Sequence, residues 1–154
     1  MAIALSTAGI VVKYCTETTA GTMPASGFTS IPDVKSIPEF GSDVNALQST
    51  PLSATTNHTY IEGLKDSGGA IGLSVNMSDD FQTAWGNLIT AYTTANTTGK
   101  ATWFEYAIPG MTKSFFFPGK PVELGFGGAE VDSVLEGTAN IIPTGDYKWA
   151  TAST

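Results

Sequence analysis

Arginine is absent from this chain of 154 residues, and charge of any kind is scarce. Asp, Glu and Lys make up 14 % of it, against about 25 % in an ordinary soluble protein. Fourteen acidic residues face seven lysines, a formal net charge of −7. Without arginine there is no bidentate fork for phosphate or guanine. A negative chain also gains nothing by neutralising phosphates. Nucleic-acid binding is thereby excluded as a class, although lying close to DNA without holding it is not. Cysteine is reduced to Cys15 and histidine to His58, which removes an intrachain disulfide and a thiolate metal cluster. No apolar run approaches the length of a membrane-spanning helix. The first ten residues lack the basic start of a signal peptide, so none is expected.

What is present leans to β structure. Thr occurs 22 times and Gly 17 times, and hydrophobic residues make up 42 %. Thr, Val, Ile and aromatic residues suit a pleated, half-buried surface, and Gly and Pro supply turns. The length is that of one domain with a core of its own.

Residues 1–9 are small and mildly apolar and read as an arm. Gly9–Tyr14 is a short apolar strand pattern, and 16–27 is loop material. Phe28–Phe40 carries Ile31, Val34 and Ile37, but Pro32 and Pro38 restrict it to an edge strand or an irregular strand pair. Gly41–Ser53 lacks periodicity and reads as a long excursion, of the kind that is often functional. Ala54–Ile61 is extended in character, and Gly63–Gly69 reads as a turn. Ala70–Met77 alternates Ile71, Leu73, Val75 and Met77 with small polar residues, a strand with one face in the core.

A helix follows over 79–95. Asp79 is its expected N-cap, with Gln82 as box partner. Phe81, Trp85, Leu88, Ile89 and Tyr92 fall on one stripe of 3.6-residue period, a face for core packing. Gly86 lies off that stripe and costs about 1 kcal/mol relative to Ala. Ala101–Ile108 is an aromatic strand closed by Pro109-Gly110. Ser114–Phe117 is a second strand, with Pro118-Gly119 as the next turn. Pro121–Phe126 and Ala129–Ile142 read as the last strands. In the latter, Val131, Leu135, Ala139 and Ile141 share one parity, and Glu130, Asp132 and Glu136 share the other. Gly145–Thr154 is a polar tail. The expected architecture is α+β or mainly β, an antiparallel sandwich or barrel with one flanking helix.

No constellation for catalysis accompanies these elements. His58 lacks company as a metal ligand or a general base. Glu105 sits among Trp103, Phe104 and Tyr106, which is sugar-site company, but alternation alone makes this an ordinary half-buried strand. Gly125–Gly128 lacks the third glycine and the following helix of a dinucleotide fingerprint. The sequons at Asn57, Asn76 and Asn96 arise readily in a chain rich in Thr. No catalytic residue, cofactor or metal is expected, and the chain does not read as an enzyme. The alternative that stays open is a carbohydrate-binding or adhesin module displaying Trp103 and Tyr106. The set Glu130, Asp132 and Glu136, with Glu123 nearby, is either a solvated face or a surface that repels phosphate.

Thr50-Pro-Leu, Tyr60–Asp66, the strand at Ala70–Met77, the helix from Asp79, Ala101–Tyr106, Phe115–Gly119 and Ala139–Gly145 occur in an order that resembles the major tail tube proteins of long-tailed, non-contractile bacteriophages. The resemblance covers nearly the whole chain and rests on order, since no single motif is decisive. It implies a structural virion protein synthesised in the cytoplasm of a host bacterium and located in the tail. Six copies would form a ring whose strands join into one barrel, and rings would stack into a hollow tube that conducts genomic DNA during ejection. It implies Gly41–Ser53 as a stacking loop, with inter-ring contacts at Gly41, Asp43, Asn45, Leu47 and Gln48. Residues 1–9 and Gly145–Thr154 would be terminal arms. Glu130, Asp132 and Glu136, then Glu123, Asp33 and Glu39, would face the channel. The implied partners are further copies of the chain, a tape measure protein, and tail-tip and tail-terminator proteins. No membrane is involved, and DNA passes without specific binding.

Overall fold

A computed structural model describes residues 4–41, 43–66 and 69–154. It is mainly β with one helix. The antiparallel sheet curls into a half-barrel. The chain divides into two compact units, 1–38 with 70–154, and 39–69.

In the larger unit the strands are β1 (Val11–Thr16), β2 (Thr29–Ile31), β3 (Val34–Ser36), β6 (Ile71–Asn76), β7 (Thr102–Ala107), β8 (Lys113–Pro121), β9 (Glu136–Pro143) and β10 (Lys148–Thr151). The smaller unit holds β4 (Asp43–Gln48) and β5 (Tyr60–Asp66). The larger sheet runs β2-β1-β7-β8-β9-β6-β3, with β10 also on β8. Its two ends are consecutive in the chain, since only Pro32 and Asp33 separate β2 from β3. Ile31 and Val34 can therefore lie no more than about 10 Å apart, and that short link holds the sheet in its curl. Asp33 makes the corner with a φ of 61°, in the left-handed region that Asp tolerates better than most residues.

The opposite corner is in β8. Its first half pairs with β7 on one edge and with β10 on the other, as Tyr106 opposite Phe115 and Trp149 opposite Phe115 illustrate. Its last three residues pair with β9, Gly119 opposite Pro143 through Pro121 opposite Ile141. Strands that change sheets at a bend are how orthogonal β packings turn their corners. Pro118-Gly119, expected as a turn, is this crossing point. Pro118 lacks a donor, and its carbonyl accepts from the Thr144 amide at 3.0 Å. Gly119 is required by crowding, because a Cβ there would lie 2.6 Å from Ile141 Cγ2.

The alternation in β6 works as its pattern requires. Ile71, Leu73 and Val75 are buried and stand opposite Ile141, Ala139 and Gly137 of β9. Helix α1 (Asp79–Asn96) packs on β1, β2, β7 and β8. Phe81, Trp85 and Leu88 are fully buried, with Ala95 about two turns further on. Ile89 and Tyr92 are half-buried at the margin of the same face. Phe81 and Trp85 stack at 5.8 Å between centroids. Trp85 Nε1 donates to the Val122 carbonyl at 2.9 Å, so its polar edge is satisfied inside the core.

The helix starts one residue away from its expected cap. Ser78, extended at φ −138° and ψ 163°, is the N-cap, and its Oγ accepts from the Phe81 amide at 3.1 Å. Asp79 and Asp80 occupy the first turn, where negative charge meets the positive end of the helix dipole. The Ser78 hydroxyl donates to Asp33 Oδ2, tying the helix start to the β2–β3 corner.

Two further expectations are corrected. Residues 129–135 form no strand, although their parity reads as one. Gly128 at φ 86° and Asp132 at φ 59° break the extended chain, and Ser133 Oγ closes a local turn on the Glu130 carbonyl. The polar tail is ordered on its own chain: Lys148–Thr151 is β10 on the edge of β8.

Candidate assembly surfaces

The smaller unit departs most from its sequence expectation. Gly41–Ser53 is not an irregular excursion, and 63–69 is only in part a turn. β4 and β5 pair antiparallel from Asp43 opposite Asp66 to Gln48 opposite Tyr60, with a bulge between Val44 and Ala46. At its loop end the hairpin is tied by side chains and one further backbone bond. Gln48 Nε2 lies 2.7 Å from His58 Nδ1, the Thr59 amide donates to Thr50 Oγ1 at 2.9 Å, and the Ser49 amide donates to the Thr59 carbonyl at 2.8 Å. His58, the only histidine, thus has a local structural role.

Among the residues of 39–69 whose side chains are described, none is buried. The apolar side chains stay open: Leu47 is 47 % exposed, Tyr60 60 %, Ile61 56 %, Leu64 91 % and Leu52 fully so. A two-stranded hairpin without a covered face is marginal at best in water. Each strand also keeps an unpaired edge, the usual template for pairing with another chain. Of the residues implied as stacking contacts, Asn45, Leu47 and Gln48 are exposed on β4, Gly41 is exposed just before it, and Asp43 opens the strand.

The acidic residues do not form one strand face. Glu130 and Asp132 lie in the irregular segment before β9 and are exposed, as is Glu123. Glu136 opens β9 and pairs with Lys35. Asp33 sits at the β2–β3 corner and accepts from Ser78. Glu39 belongs to the smaller unit. The parity that grouped Glu130, Asp132 and Glu136 has no physical consequence where the backbone is not extended.

The aromatic strand carries neither a sugar platform nor an acid catalyst. Phe104 and Tyr106 are buried, and Trp103 is half-buried beneath Lys148, whose Nζ lies 5.3 Å from its ring centroid. Glu105 is fully buried. Its carboxylate accepts from the Ser153 amide at 2.9 Å and from Ser153 Oγ at 2.6 Å. Both faces of β7 are therefore covered, and the half-buried strand expected from alternation is corrected by the C-terminal segment that follows β10. Sequence reasoning missed this buried carboxylate, since nothing in the spacing links residue 105 to residue 153. Burial pushes the Cys15 thiol up, which makes it a poor nucleophile. Among the described residues, no group of His, Cys, Asp and Glu could hold a metal ion. No helix among the described residues is long and apolar enough to cross a membrane.

No protein-family model matches the chain, and no curated protein does. Solved structures do match it in fold. A chain of the six-fold symmetrised baseplate of the anti-feeding prophage superposes with a TM-score of 0.62 at 10 % identity, covering 100 % of both chains. A chain from the C6-symmetric tail of an empty gene transfer agent particle gives 0.59 at 12 % identity, covering 96 % of this chain and 100 % of that one. A chain of the tube-terminating cap of the anti-feeding prophage gives 0.60 at 12 %, covering 99 % and 94 %. At such identities the likeness is one of fold: this chain has the fold seen in those tail-like particles from end to end.

Proposed function

We propose that the chain is a structural subunit of a phage-like tail, without enzymatic activity, that assembles into six-membered rings stacked as a hollow tube. The observation that carries this reading is the hairpin over 39–69, which has open apolar side chains and no buried residue among those described. Such an element requires a neighbour. Residues 41–53, now with β4 inside them, are the ring-stacking element in this reading, and residues 1–9 are an arm. The end-to-end fold likeness to chains of six-fold tail and baseplate assemblies supports the symmetry.

The channel is anionic in this reading. Glu123, Glu130 and Asp132 remain its exposed acidic set, with Glu39 on the smaller unit. Glu136 and Asp33 take part with charges already engaged by Lys35 and Ser78. With no arginine in the chain, DNA slides through rather than adhering. A tape measure protein and tail-tip and terminator proteins are the partners such a tube requires. The adhesin alternative has no supporting observation, because Tyr106 is buried and Trp103 is half covered.

Electron microscopy of the purified chain at raised concentration tests the proposal. Rings with six-fold symmetry and stacked tubes with a central hole are expected. Monomers at every concentration would overturn it.

A further inference from the structure

The larger unit carries an open groove of about 430 Å³ beside the helix, lined by Gln82, Trp85, Gly86, Ile89, Phe126 and Leu135 among others. Two of its lining residues are glycines that nothing within the chain requires. A Cβ built on Gly86 or on Gly125 meets no atom within 4 Å. Neither has a positive φ, so neither is there for backbone conformation. Gly86 nevertheless sits inside a helix, where glycine is the least favourable residue after proline. A glycine that weakens its helix and relieves no internal crowding is accounted for by close approach from outside. The rest of the lining is mostly apolar, with Gln82 and Glu123 as its polar members, and part of it is open: Phe126 is 79 % exposed and Leu135 42 %.

The other unit carries the complement. Leu52, in the link between β4 and β5, is fully exposed and follows Pro51. With Leu47, Tyr60, Ile61 and Leu64 it leaves five large side chains in water. At roughly 100–200 Å² each they approach one partner's share of a standard interface, about 800 Å². We propose that the end of the hairpin, led by Leu52, seats in the Gly86 groove of a second copy of this chain. Knob and groove lie on different units, and in the stacked rings of the tube reading the contact is a heterologous one that propagates from copy to copy. This rests on the tube reading and names the receiving surface within it.

The test uses the full chain. Gly86→Gln fills the groove while supplying a better helix former, so the isolated subunit is expected to melt a few degrees higher. Its concentration for assembly is expected to rise at least tenfold, and Leu52→Ser is expected to match that rise. As an independent readout, Leu52→Cys and Gly86→Cys are made separately with Cys15→Ser and joined by a short bis-maleimide. The mixture is expected to give a covalent dimer that neither variant gives alone. Assembly of Gly86→Gln at the wild-type concentration, or no mixed dimer, overturns the groove. If Leu47→Ser/Ile61→Ser fails to assemble while Gly86→Gln assembles normally, only the groove is wrong. Wild-type protein that never assembles defeats the tube reading and the groove together.

Discussion

The curled sheet and the hairpin are made from similar residues to opposite effect. In the sheet unit a contiguous set of apolar side chains ends buried: Leu73, Val75, Phe81, Trp85, Phe104, Phe117 and Ile141 lie at or below 1 % exposure. In the hairpin, Leu47, Ile61 and Leu64 are at least 47 % exposed although they also lie on paired strands. The difference is what stands opposite. β6 has β9 beside it and matching apolar side chains on the same face, whereas β4 and β5 have only each other. Backbone pairing alone does not stabilise a strand, because side-chain burial supplies most of the free energy. The sheet unit has a core of its own, although Phe126, Val131 and Trp149 stay open on it, whereas the hairpin's apolar side chains named here are all open.

Breaking the sheet unit gives the largest effect on stability. Trp85→Ala removes a fully buried ring, its stack on Phe81 and its bond to the Val122 carbonyl. A loss of about 3–5 kcal/mol is expected by denaturant unfolding. Glu105→Ala comes next. It leaves the Ser153 amide and hydroxyl without their acceptor, with an expected cost of about 2–3 kcal/mol and faster hydrogen exchange in β10. Ser78→Ala removes the helix cap and its bond to Asp33, for about 1 kcal/mol in the same assay.

Tyr106 sharpens the comparison through pH. Burial raises its phenol pKa far above the usual value, and its hydroxyl has no hydrogen-bond partner among the described residues. In the unfolded chain tyrosine ionises near pH 10. Above that pH the unfolded state holds fewer protons than the native state, so stability falls as pH rises. Tyr14, also raised by burial, acts in the same direction. Tyr106→Phe is expected to leave stability at pH 7 nearly unchanged and to lessen the alkaline loss, read as melting temperature between pH 9 and 11. The smallest expected effect on subunit stability is in the hairpin. Leu47→Ser with Ile61→Ser, both exposed, should move the unfolding midpoint of the isolated subunit by no more than about 0.5 kcal/mol while abolishing assembly.

The same contrast explains how much of the molecule was legible in its residues. The helix face from Phe81 to Tyr92 and the alternation from Ile71 to Val75 were readable because local periodicity and burial coincide there. The β2–β3 edge was readable from Pro32 and Pro38. The β8 corner was not, because Pro118-Gly119 reads as a turn unless the identity of the flanking strands is known. The parity of Glu130, Asp132 and Glu136 misled because alternation carries meaning only where a partner strand exists, and β6 is paired only with Glu136 onward. The capping box failed by one residue, since Ser78 and Asp79 are both competent caps and Asp33 selects the serine. Glu105 was hidden because its partner lies 48 residues away in the sequence. The strands inside the segment that the resemblance implies as a stacking loop were invisible: Val44, Ala46 and Gln48 alternate with Asp43, Asn45 and Leu47 without separating apolar from polar.

Hydrogen exchange of the β4 and β5 amides, compared between dilute and concentrated protein, tests the central claim most directly. The account predicts exchange within seconds in the dilute monomer and strong protection in the assembled state, while β6 and β9 stay protected in both. Hairpin amides as protected in the dilute monomer as those of β6 would contradict it.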